Sequence, residues 1–168
     1  MMLVLVCVSL VEVVAADEPS LGGARQALGS AEVLTKALNS EDPSDAHDAV
    51  QKAARLIPTL EAMASLLNAA AVKVAAIRAE FEKEALKTGD AAATAFYEAQ
   101  VKTMKGREAD FSELRGKLSR AVAQLREKVE KAKANPKVQA LLKDDELLQR
   151  AKDALEKLKS FKLPQIDP

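Results

Sequence analysis

His47, in the run Asp45-Ala46-His47-Asp48, is the only histidine in the chain. A hydrolytic triad needs a base between a nucleophile and an orienting acid, and a zinc site needs several His, Cys or carboxylate ligands. One ring among acids at a helix start meets neither requirement and reads as a solvated residue. Carboxylates do gather, at Glu80, Glu82 and Glu84 and again at Asp144, Asp145 and Glu146. A di-metal carboxylate bundle would draw a Glu-x-x-His pair from each of two helices, which a single histidine cannot supply, so these runs read as solvated faces. No glycine-rich phosphate loop, calcium-loop pattern or nucleophile elbow occurs. The sequence therefore offers no catalytic, cofactor-binding or metal-ligating residue, and predicts a protein that is not an enzyme and uses no cofactor.

Basic residues interleave with apolar ones from Arg115 to Lys133 and from Arg150 to Lys162. Amphipathic helices of this kind can lie on anionic membranes, which makes anionic lipid a possible partner. The same pattern is what a bundle helix shows to water, with Glu127 and Lys131 at the four-residue spacing of a helical ion pair. Phe161 is the one aromatic residue in these two stretches, which argues against a stacking surface for nucleic acid. The net charge is zero, but the halves differ: Asp17 to Phe96 holds 8 Lys and Arg against 12 Asp and Glu, and Tyr97 to Lys162 holds 17 against 11. An acidic half can thus lie against a basic one.

The elements that carry these residues are helical. At 168 residues the chain suits one domain with a real core. With 3% aromatics and no Trp, that core must be built from Leu, Val, Ile, Met and Ala. Asp42-Pro43 is a cap followed by proline at the first helical position, and Asn135-Pro136 repeats it. From the first of these, Ala46, Ala49, Ala53, Leu56, Leu60, Met63, Leu67, Ala70, Val74, Ile77 and Phe81 alternate steps of three and four, a heptad seam seeking a partner helix. Pro58 lies inside it and predicts a kink over 54–58. Leu66 to Ala76 is apolar nearly all round and is expected to be the most buried stretch, covered from more than one side.

Gly89 is the expected C-cap of that helix and Asp90 the cap of the next. The second long helix runs from Ala91 to about Lys133, turning Phe96, Met104, Phe111, Leu114, Leu118, Val122, Leu125, Val129 and Ala132 toward the core. A third, to about Phe161, carries the stripe Val138, Leu141, Leu148, Ala151, Leu155 and Leu158 and is expected to fold back on the hairpin. The fold class predicted is all-α, an up-and-down three- or four-helix bundle built on a long antiparallel helical hairpin.

Domain organisation follows from the ends. Met1 to Leu10 is almost wholly apolar, and Val14-Ala15-Ala16 places small residues before the polar run from Asp17, so residues 1–16 read as a signal peptide cleaved near Ala16. Residues 17–42, with a Pro and several Gly, read as a linker with a possible short helix over Ala31 to Leu38. The bundle occupies 43–163 and a tail 164–168. Cys7 is the only cysteine, so the processed chain would hold no disulfide.

Ala69-Ala70-Ala71 and Ala91-Ala92-Ala93 flank the turn of the hairpin. With the signal-like start, this arrangement over 43–133 resembles the alanine-rich helical-bundle surface antigens of trypanosomes, although the chain lacks their glycolipid tail and cysteines. The resemblance implies a secreted or surface-associated protein. The amphipathic helices also look like those of exchangeable apolipoproteins, which implies lipid binding. The expected partner is a protein, or a second copy, engaged through helix faces; a narrow seam favours that over lipid.

Overall fold

A computed structural model describes residues 21–160, with side-chain surroundings to Lys157. The leader read over residues 1–16, its cleavage point and the tail 164–168 lie outside the described residues. The described residues form an all-α bundle of four helices: α1 Leu21–Ala37, α2 Pro43–Lys87, α3 Ala91–Lys133 and α4 Pro136–Ser160.

Helix starts follow the cap chemistry. Asp42 accepts a hydrogen bond from Ser44 N at 2.8 Å, and Pro43 fills the first position, where no donor is needed. Asp90 accepts from Ala92 N at 2.7 Å and Ala93 N at 3.2 Å. Asn135 accepts from Lys137 N at 3.0 Å. The end of α2 differs from expectation: Thr88 is the C-cap, in an extended conformation, and Gly89 does not adopt positive φ. No left-handed residue is needed because an extended Thr88 already turns the chain out of the helix.

α2 and α3 share the largest interface and run antiparallel. Ala46, Ala53, Leu60, Leu67, Val74 and Phe81, seven residues apart, are all buried on α2. Opposite them, Met104, Phe111, Leu118, Leu125 and Ala132 keep the same spacing on α3. Strict sevens hold one face toward one partner over the full length of both helices. Extended toward the turn, that register reaches Tyr97, which stacks tilted on Phe81 with ring centroids 6.2 Å apart. Phe96, expected in the core, is one residue out of register: it is 45% exposed and meets Tyr97 edge-on at 5.6 Å. α2 runs unbroken through Pro58, which is exposed, as is Ala54, whose carbonyl loses its partner there.

The N-terminal segment corrects the linker reading. α1 begins at Leu21 and so takes in much of 17–42, because Ala24, Ala27 and Ala31 form a buried stripe that packs on both hairpin arms. Burial of this face outweighs the helix cost of Gly22, Gly23 and Gly29, about 1 kcal/mol each. Leu21 shares a groove with Asp110 and Leu114, Thr35 shares one with Gln124, and Lys128 Nζ donates to Asn39 Oδ1 at 3.0 Å. α1 therefore runs parallel to α3 and antiparallel to α2.

Length then decides what α1 can cover. Its 17 residues span about 26 Å against about 68 Å for the 45 of α2. Among the described residues, α1 and the first turns of α4 join the hairpin near the start of α2, and the bundle thins to two helices toward the turn. Leu66 to Ala76 falls in the thin part, so it is not the most buried stretch. Leu67 and Val74 are buried on α3, whereas Leu66 is 57% and Val72 63% exposed.

α4 also departs from expectation. Val138 is buried and Leu141 and Leu142 half-buried, but every side chain from Glu146 to Lys157 is exposed, including Leu148, Ala151 and Leu155 of the expected stripe. The helix docks by its first turns and then leaves the bundle. The two-residue link Ala134-Asn135 fixes where it starts.

Candidate interaction surface

The described core contains no polar or charged residue. Polar chemistry lies between and outside the helices. Across the hairpin, Arg126 bonds Glu61 at 2.6 Å, Lys105 sits 3.6 Å from Glu82, and Arg115 bonds Asn68. These place α3 cations on α2 acceptors, the complementarity read from the two halves. Arg78 reverses the direction: its Nε donates to Glu108 on α3 at 2.8 Å and its Nη1 to Glu82 at 2.9 Å.

All members of the carboxylate runs except Asp144 are engaged by neighbouring side chains. Glu82 is held below the ordinary glutamate range, first by its hydrogen bond from Arg78 and then by the charges of Arg78 and Lys105. The two acids in turn raise Arg78. Glu80 pairs with Lys83, Glu84 with Lys87 and Glu146 with Arg150. Among the described residues no three His, Cys, Asp or Glu come together in a metal-holding arrangement.

His47 is not the solvated residue expected. Its side chain is 18% exposed, wedged between α2 and α4, with Nε2 2.9 Å from Asp145 Oδ2. The contact is close, but Nε2 makes no directed hydrogen bond. The directed bond to Asp145 comes from Gln51 Nε2 at 2.5 Å. Asp145 is thus brought to two α2 residues one turn apart, and this cluster tethers one helix to another. No local pattern announces it, because Gln51 and Asp145 are 94 residues apart.

Several large apolar side chains are exposed among these charges. Leu66, Val72 and Phe96 face solvent on the two-helix part of the hairpin, and Leu147, Leu148 and Leu155 do so on α4. Val72 lies in a shallow groove with Ala71, Ala75 and Ala109, rimmed by Arg78, Lys105 and Glu108. The groove between α1 and α3 mixes Arg25, Glu32, Asp110, Glu113 and Lys117, whose opposed charges select no ligand class. By length and composition α2 is apolar enough to cross a membrane, with an 18-residue window of mean hydropathy 1.5 of which 17% is buried.

Compared with protein-family models, curated protein sequences and solved structures, the chain matches none.

Proposed function

We propose that this chain is exported by residues 1–16, processed near Ala16, and acts outside the cell or at its surface as a non-enzymatic helical bundle. It binds protein, either a partner or a second copy, through helix faces. The observation that carries this reading is the alignment of uncovered apolar side chains on regular helix faces, notably Leu147, Leu148 and Leu155 on α4. Single exposed apolar residues are normal on any surface, so their alignment is the argument and not their number. The test of export is N-terminal sequencing of the secreted product. Asp17 as first residue supports the leader, and retention of Met1 to Ala16 overturns it.

Lipid binding is the second reading, favoured by Leu66 to Ala76, a stretch nearly all apolar that α3 covers on one side only. Vesicle flotation of the processed chain, residues 17–168, separates the two. A fully helical protein that stays at the bottom of the gradient supports protein binding. Flotation with anionic vesicles and a gain of helicity on them supports a bundle that opens onto lipid.

A further inference from the structure

α1 is held to the hairpin by small groups. Its buried stripe is Ala24, Ala27 and Ala31, closed by Leu38 just past the helix. Alanine packs closely but takes little apolar surface out of water. Grooves open along both flanks of the helix, one toward α3 between Arg25 and Asp110, the other toward α2 between Val33 and Lys52. Arg25 and Glu32 share the first groove with Glu113 and Lys117, yet among the described residues no ion pair joins α1 to either arm. The bond from Lys128 to Asn39 lies beyond the helix end. α1 also carries three glycines in 17 residues, and a helix of that length is marginal in water even when it is rich in alanine. Away from the hairpin it melts.

The hairpin has no such dependence. Toward the turn, Leu67, Val74 and Phe81 stay buried against Met104 and Phe111 where, among the described residues, there is no third helix. We infer that α1 is a strap: it leaves the hairpin as a unit, melting as it goes, while α2 and α3 stay paired. The turn after Leu38 remains tied to α2, because Ser40 donates to Asp45 Oδ2 at 3.3 Å and accepts from Asp42 N at 3.2 Å. Opening uncovers an apolar face that the closed chain hides. On α2 this face follows Ala49 in steps of seven to Leu56 and Met63, and on α3 it holds Leu114 and Ala121. The inference goes beyond the protein-binding reading, since it concerns the chain alone and holds for any partner.

Native-state amide exchange of the processed chain, residues 17–168, tests this. Amides of α1 exchange at least about tenfold faster than those of Leu118 and Leu125 in the seam. One common rate in both places overturns the inference. Gly29→Ala adds helix propensity at an exposed position where a Cβ meets no atom within 4 Å, so the packing is undisturbed. It slows exchange across α1 about fivefold and leaves Leu118 and Leu125 at their own rate. Slowing in both places alike, or in neither, overturns the strap. Ala31→Glu sets an acid at a position 1% exposed and strips α1 of protection while the seam keeps its own. Loss of protection in the seam as well would show that the hairpin needs α1, and overturns the strap. The protein-binding reading stands or falls separately, on flotation.

Discussion

His47 Nε2 lies 2.9 Å from Asp145 Oδ2, and it joins two helices that share few other contacts. α4 meets α2 through this pair and the Gln51 bond, and buries Val138 and half-buries Leu142 on the bundle. Every described side chain beyond Asp145, as far as Lys157, is exposed. The cluster therefore sets the place where α4 stops being part of the bundle.

Removing it loosens α4 without melting the hairpin. For Asp145→Asn, which keeps an acceptor for Gln51 but discards the charge beside His47, amide exchange over 136–145 rises about tenfold, the scale of one charge-assisted contact. Exchange at Leu118 and Leu125, in the buried seam, stays at the wild-type rate. Equal acceleration at both places would mean that α4 and the hairpin unfold as one unit.

Leu66 and Leu67 are neighbours with opposite roles. Leu67 is 1% exposed in the seam, and Leu67→Ala costs about 2–5 kcal/mol by lost transfer energy and the cavity left behind. Leu66 is 57% exposed, and Leu66→Ala stays within about 0.5 kcal/mol. Urea unfolding followed by circular dichroism measures both. Equal costs would mean that a third element covers this part of α2.

Gly106 and Gly116 lie inside α3 with negative φ, and a Cβ built at either meets no atom within 4 Å. Nothing in the fold requires glycine at these positions. Gly106→Ala and Gly116→Ala each stabilise by about 1 kcal/mol through helix propensity, and the two effects add because the sites are about 15 Å apart. Thermal unfolding of the single and double variants checks the sum. A loss of stability in either would point to a bend in α3 that glycine accommodates.

These contrasts show what was legible in the sequence. The seam from Ala46 to Phe81 was, because a heptad period fixes one face whatever the partner. So were Asp42, Asp90 and Asn135, because capping is chemistry within a few residues. The register at Tyr97 was not: Phe96 is equally apolar, and only extension of the sevens from Met104 decides between them. α1 was hidden by its glycines, whose local cost is overruled by the packing of Ala24, Ala27 and Ala31. The stripe on α4 is covered at Val138 and Leu141 and exposed at Leu148, Ala151 and Leu155, because a helical period does not say how far along the helix its neighbours reach. The His47–Asp145–Gln51 cluster joins residues far apart in sequence, and no local pattern announces it.

Acid titration singles out Glu82. Its carboxyl is held low in the folded chain by Arg78 and then Lys105, and is released on unfolding, so the unfolded chain binds the proton more tightly. The stability it supplies is complete above the unfolded glutamate value of about 4.3 and is lost as pH falls through the lower folded value. Glu82→Gln should therefore be less stable than wild type at neutral pH, and the gap should close below about pH 4. The effect is small and shrinks with added salt, because Arg78 and Glu82 are both partly exposed. Unfolding curves at pH 7 and pH 3 for the two proteins give the answer. A gap that persists unchanged at pH 3 would show that the glutamine disturbs packing between α2 and α3 and that the Arg78 ion pair contributes nothing measurable.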